Sequence, residues 1–370
     1  MLLFSLCSKQ DDPPNDPDDP FVFEPTPYEL EIPKFFPTKL NIPPDNPMTV
    51  EGVELGRYLF YDGRLSGRTH PDSLMSCGTC HIQSRSFVCG IDHPKFTGGA
   101  THGLTGIPTP HNMMPLINMV FNHNGYLWNG LIHQGNDDPS RRRLEDLVWM
   151  GVVAPHEMHG DTNRTVALIQ SIPGYPELFR KAFGTDQVSM EDIGKAIAQF
   201  VRTLISANSR FDRYLYGEEQ LTQEELSGYI LFITEEGADC FHCHGSIGVP
   251  LFTTNLYYNN GKDTVFNDPR DRYSVTGNPK DIGAYRAPTL RNIELTAPYM
   301  HDGRFATLEE VIDFYSHNVK QSPYVHPLMH HVHRGGVQLT PIEKQHLLAF
   351  IRTCLLYTSD AADEEDSVDL

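Results

Sequence analysis

The pentapeptide Cys-x-x-Cys-His occurs twice, as Cys77-Gly-Thr-Cys80-His81 and as Cys240-Phe-His-Cys243-His244, and no other feature constrains the fold as much. Two thiols at this spacing can add to the vinyl groups of a haem, and the histidine that follows is placed to bind the iron. A zinc site would use the two Cys pairs together and would not need a His after each. A redox dithiol would sit in a βαβ pattern, and none is visible. The expectation is two covalent haem c groups, one on Cys77 and Cys80 with His81 as iron ligand, the other on Cys240 and Cys243 with His244. Such attachment takes place outside the cytoplasm.

The regions around the motifs repeat one plan. Gly56-Arg-Tyr-Leu-Phe60 precedes the first motif and Gln199-Phe-Val-Arg-Thr-Leu204 closes its region; the second motif has Gly228-Tyr-Ile-Leu-Phe232 and Ala349-Phe-Ile-Arg-Thr-Cys354. A helix, a haem-binding turn and a closing helix, repeated, is an internal duplication. Helix starts are marked by Ser189 with Asp192, Thr222 with Glu225, Thr307 with Glu310, and Thr340-Pro-Ile-Glu343. Ile193, Ala196, Ile197, Phe200, Val201 and Leu204 form one apolar stripe. The fold class expected is all-α, with two cytochrome c-like haem domains at 48–207 and 208–355. Residues 21–47 belong to a stretch, Pro13 to Pro47, that holds eleven of the 28 prolines; it cannot be helical and should lie extended over the surface. Residues 356–370 break the helical pattern and read as a disordered, non-native tail.

The formal charge of −19 is concentrated at the ends, since eleven acids lie in the two tails; without them and Lys9 the body keeps 37 acids against 28 bases. Such a body is a poor nucleic-acid binder and repels anionic membrane surfaces. No apolar run approaches the length of a membrane span. Residues 1–20 read as a leader remnant followed by an acidic, Pro-rich tail. Cys7 resembles the acyl acceptor of a bacterial lipoprotein, although Leu6 departs from the small residue expected before it. Export to the periplasm or cell envelope follows, with Cys7 as a candidate lipid anchor.

Beyond the haem motifs, Tyr126-Leu-Trp-Asn-Gly130, Pro155-His-Glu-Met158, Ala287-Pro-Thr-Leu-Arg-Asn292 and Leu295-Thr-Ala-Pro-Tyr-Met-His-Asp-Gly303 resemble the bacterial di-haem cytochrome c peroxidase and MauG superfamily, over roughly residues 47–353. The resemblance implies reduction of hydrogen peroxide to water with electrons from a small cytochrome c or copper protein. The alternatives are a MauG-like oxidase that modifies side chains of a partner protein, and a non-catalytic electron carrier. The first haem is then the peroxide site and the second the electron-transfer site. Glu157 matches the family's distal glutamate and would be the general acid/base; Trp128 matches the aromatic between the haems. The position that holds an axial Met in typical di-haem peroxidases holds Tyr315, as in MauG, with Met300 and Met329 as rival ligands of the second iron. Tyr315 shares a helical stripe with Leu308, Val311 and Ile312 and should point inward. A calcium ion is implied at the Asn112 side chain and the Thr296 and Pro298 carbonyls, as is a homodimer.

Other residues are less decisive. His102 lies in the loop that carries a removable distal His in reduction-activated members, but its surroundings depart from that pattern. His301 matches a position near the second haem. His326, His330, His331 and His333 look like a metal-binding run whose spacing fits no ligand motif, and are read as a surface loop. Cys89 has no pairing partner in the sequence and is read as buried or inert.

Overall fold

The computed structural model describes residues 21–131, 143–245 and 250–356; Cys7, the N-terminal acidic tail and residues 357–370 lie outside them. The helices are α1 (Val50–Tyr61), α2 (Leu144–Val153), α3 (Thr162–Ser171), α4 (Tyr175–Phe183), α5 (Met190–Thr203), α6 (Arg210–Tyr216), α7 (Gln223–Phe232), the single turns α8 (Phe241–His244) and α9 (Tyr273–Thr276), α10 (Leu308–His317) and α11 (Pro341–Arg352). Two antiparallel pairs of two-residue strands, β1 (Phe96–Thr97) with β2 (Ala100–Thr101) and β3 (Tyr257–Tyr258) with β4 (Tyr285–Arg286), lie between them together with short 3-10 turns. The fold class is thus helical, as expected.

The four helix starts marked in the sequence are the starts of α5, α7, α10 and α11. Ser189, Thr222, Thr307 and Thr340 each accept from the backbone N–H three residues on, which satisfies a donor that the first turn leaves unpaired. Each half then closes in the same way: α1 packs on α5 and α7 on α11. The contact is close because the facing residue is glycine. A Cβ on Gly56 would lie 2.0 Å from the Ala196 carbonyl oxygen, and one on Gly228 would lie 1.9 Å from that of His346. Gly56 and Gly228 open the two matched pentapeptides, and Phe60 and Phe232, four residues later, are both buried. The duplication is therefore a repeated helix crossing.

The first core joins Leu55, Leu59 and Phe60 to the whole α5 stripe, and the second gathers Phe211, Phe232, Phe252 and Phe350. The proline-rich segment carries no helix, yet it does more than lie on the surface. Phe36 joins Val120, Phe121 and Leu251 in a third cluster. Asn41 donates to the Tyr126 hydroxyl at 2.9 Å, and Asn46 to the Glu145 carboxylate at 2.8 Å. Proline forbids helix but does not bar a neighbouring side chain from the interior, and the strap buries Phe36, Asn41 and Asn46.

Candidate active site

The first motif forms a short turn in which the His81 N–H donates to the Cys77 carbonyl at 2.9 Å. The Thr79 hydroxyl accepts from the Ser76 N–H at 3.0 Å and fixes the entry to that turn. His81 Nδ1 lies 2.6 Å from the Phe87 carbonyl oxygen. A carbonyl can only accept, so Nδ1 carries the proton and Nε2 is left as the metal-binding nitrogen. Burial lowers the His81 pKa and keeps the imidazole neutral. Burial, and secondarily the nearby Glu157, push the Cys77 thiol up to about 12.

The second motif repeats the arrangement. His244 N–H donates to the Cys240 carbonyl at 3.0 Å, and its Nδ1 faces the carbonyls of Pro288 at 3.1 Å and Phe252 at 3.3 Å. Burial pulls its pKa down to about 4. Cys240, Cys243 and His244 line a largely apolar cavity of about 1670 Å³, its mouth included. Both thiols, a neutral imidazole with a fixed tautomer and an apolar hollow fit a covalently attached haem.

Tyr315, Met300 and Met329 line the same cavity. Tyr315 sits on α10, whose Leu308 and Ile312 are buried, so the helical stripe turns it inward as expected. Its hydroxyl accepts from Asn260 Nδ2 at 2.9 Å, and the same amide lies 3.7 Å from Met300 Sδ. Burial raises the phenol pKa, while the Asn260 bond opposes that rise.

Glu157 lies on the turn after α2, its own N–H bonded to the Ala154 carbonyl. The loop at 103–104 clamps this turn, with Gly103 N–H on the His156 carbonyl at 2.8 Å and Leu104 N–H on that of Glu157 at 3.0 Å. Its side chain keeps 41% of its accessible surface, yet protein crowds the carboxylate enough that burial pushes its pKa up to about 7. Its charge raises both Cys77 and Cys80, so it stands beside the first motif. His102 flanks the clamp, its ring nitrogen 3.2 Å from the Gly103 carbonyl.

Trp128 is buried and borders the second cavity. Its Nε1–H donates to the Asn112 carbonyl at 2.7 Å. Asn112 in turn reaches the Pro298 carbonyl through its side-chain amide at 2.5 Å, and its N–H bonds the His301 carbonyl at 2.7 Å. Thr296, also buried, lines the same cavity. The structure therefore brings Asn112 and Pro298 together; the amide would have to turn by half a rotation to offer Oδ1 to a cation. His301 stacks on Tyr285 at 3.5 Å and meets Trp128 edge-on at 6.3 Å.

Several contributors were not legible in sequence. Asn260 sits in Asn259-Asn260-Gly261, which reads as an ordinary turn. Tyr285 bonds Asp268, which also holds His111, each at 2.6 Å, and no motif joins these positions. Cys89 is buried, as expected, and its sulfur lies 3.3 Å from His93 Nδ1. Of the histidine run, His326 packs on Tyr258 and His330 on His242, so the run does not act as one cluster.

Two Cys-x-x-Cys-His turns on the two halves of a duplicated helical chain, each with its histidine's Nε2 left available, define a di-haem c-type redox protein. The family of di-haem cytochrome c peroxidases matches residues 50–220. Cytochrome c551 peroxidase of Nitrosomonas europaea is 33% identical over 72% of this chain and 73% of its own. The methylamine utilization protein MauG of Methylorubrum extorquens is 29% identical over 86% and 82%. A crystal structure of a MauG-like protein associated with microbial copper homeostasis superimposes with a TM-score of 0.73 at 34% identity, covering 89% of this chain and 95% of that one. The chain belongs to the di-haem cytochrome c peroxidase and MauG family of oxidoreductases. Membership carries two haem c groups with it. Among the described residues no helix is long and apolar enough to cross a membrane.

Proposed function

We propose that this protein is a MauG-like, peroxide-consuming oxidase that takes electrons from side chains of a partner protein. The observation that carries the reading is Tyr315, whose hydroxyl shares the cavity of Cys240, Cys243 and His244. A phenolate donor favours oxidised iron and lowers its potential, whereas methionine favours reduced iron. A tyrosine-ligated haem makes a weak reservoir for electrons from a small cytochrome and a good stabiliser of an oxidised pair. When bound, the haems supply the peroxide-binding iron and the redox equivalents. The protein supplies proton control: Glu157, with a pKa of about 7, takes a proton from bound peroxide and returns it to the departing oxygen. Trp128, held through Nε1 at the edge of the second cavity, would be the aromatic ring that carries electrons between the haems.

A second reading, a peroxidase fed by a small cytochrome c or copper protein, is favoured by Met300, whose sulfur shares Asn260 with Tyr315. We further propose calcium at Asn112, Thr296 and Pro298, whose neutral oxygen donors suit that ion, and export to the periplasm or cell envelope. The association of the 34% identical relative with copper homeostasis makes a partner from that process the first to test.

The experiment is a redox titration of the second haem in Tyr315→Phe, Tyr315→Met and Met300→Leu holoproteins, with peroxide turnover on reduced cytochrome c. Tyr315→Met should raise the potential and the turnover, and Met300→Leu should change neither. If Tyr315→Phe leaves potential and ferric spectrum untouched while Met300→Leu alters both, the peroxidase reading replaces the one proposed.

A further inference from the structure

At the edge of the second cavity, which Asp239 and His330 help to line, Glu235, His242 and His330 each bring one ligand atom to within 4.8 Å of the others. Asp239, immediately before Cys240, adjoins the group: its Oδ1 is hydrogen-bonded to His242 Nδ1 at 2.5 Å, which leaves the His242 Nε2 for an ion, and its Oδ2 lies 3.4 Å from His330 Nδ1. Glu235 Oε1 lies 3.3 Å from that same nitrogen. We propose that Glu235, Asp239, His242 and His330 bind one divalent transition-metal ion, for which zinc(II) is the probe.

Three observations support the site. Bonds of about 2.0–2.1 Å at the tetrahedral angle place neighbouring ligand atoms roughly 3.3–3.4 Å apart, which is the spacing of His330 Nδ1 from both carboxylates. Those approaches do not make hydrogen bonds: His330 Nδ1 is buried and has no hydrogen-bond partner, although two carboxylates face it. And the Asp239 side chain is only 7% exposed; its Oδ1 is engaged by His242, and its Oδ2 is turned toward the unbonded His330 nitrogen. Two imidazoles with two carboxylates favour zinc, copper or nickel over calcium or magnesium, which prefer oxygen alone.

The neighbouring histidines are accounted for otherwise. His331 has both ring nitrogens engaged, by the Glu235 carbonyl at 2.7 Å and by Arg334 at 2.6 Å, and His333 Nδ1 stays on its own loop at the His330 carbonyl. Glu235 and Asp239 follow α7 and His242 lies on α8, whereas His330 comes from the loop before α11. A bound ion therefore clips that loop onto the turn that carries the second haem.

The test uses holoprotein, whose motif thiols are occupied by haem, stripped with chelator and titrated with zinc(II) by calorimetry and metal analysis. One zinc per chain beyond iron is expected. His330→Ala and Glu235→Gln should each weaken binding by more than about tenfold, and His333→Ala should leave it unchanged. The Glu235 side chain is 53% exposed, so its variant keeps the test valid if His330→Ala does not fold. No zinc uptake, or uptake undiminished in these variants, overturns the site.

Discussion

A carboxyl group that gives up its proton only near neutrality is suited to passing one back and forth, and burial alone brings Glu157 there, at about 7. To accept the first proton it must be ionised. Peroxide consumption should therefore fall as pH drops below about 7, and Glu157→Gln should remove that acid limb and slow turnover by roughly 10²–10⁴-fold; a pH–rate profile of the two holoproteins checks both. The linkage has the opposite sign for stability. A carboxyl whose folded pKa lies above its unfolded value stabilises the fold below the unfolded value, and this is lost as pH rises through about 7. Glu157→Gln should accordingly raise the melting temperature at pH 8 and leave it nearly unchanged at pH 4. The two Cys-x-x-Cys-His turns and the inward direction of Tyr315 could be read from the chain because their signals are local: a five-residue motif, and a stripe with Leu308 and Ile312. Asn260 could not, because its partner Tyr315 is 55 positions away and only folding sets its amide against that hydroxyl. His330 was visible as part of a histidine run, but its meeting with His242 was not, since one lies on the loop before α11 and the other on α8.

Elements were legible where a helix announces its own start. Each Ser or Thr cap lies within three residues of the donor it satisfies, so the pattern survives any tertiary context. The helix crossings were half legible: the matched pentapeptides showed that Gly56 and Gly228 recur, but not what they touch. Their role decides the sign of a substitution. An exposed helical Gly→Ala change gains about 1 kcal/mol from propensity. Here the new methyl would press on a backbone carbonyl, at about 2 Å in both crossings, and a carbonyl within a helix cannot rotate away. Overpacking of this kind costs about 1–3 kcal/mol, so Gly56→Ala and Gly228→Ala should each lower the melting temperature. A rise in either would show that the helices yield, and that the crossing is looser than it appears. The proline-rich strap marks the limit of local reading, because proline reports which conformations are barred and is silent on whether Phe36 or Asn41 finds a pocket.

At the scale of the molecule, an ion pair with both partners buried lies in each half of the described residues, and the strap runs past both. Arg202 bonds Glu145 at 2.8 Å and the strap carbonyl of Asn41 at 2.9 Å. Arg291 makes a two-pronged contact with Asp212 at 2.5 and 2.8 Å, bonds the Pro250 carbonyl and lies 4.9 Å over the ring of Phe36. The two guanidiniums thus fasten one extended segment to both haem domains, and Phe36 enters a cluster with residues from each. Neither member of the second pair is appreciably exposed, so removing one leaves a charge stranded in the interior. Arg291→Met should cost about 3–5 kcal/mol, while Arg291→Met with Asp212→Leu, which removes both charges, should recover most of it. The same pair predicts part of the response to acid. Burial alone would raise the Asp212 pKa, but the hydrogen bonds and charge of Arg291, together with the hydrogen bonds from Ser209, outweigh it and hold the carboxyl below its ordinary value. Its contribution is therefore complete above the unfolded carboxylate pKa of about 3.9 and is lost as pH falls toward the folded one. Chemical denaturation between pH 5 and pH 3 should show the double variant losing less stability than the parent, and an equal loss in both would mean that the pair does not govern the acid limb.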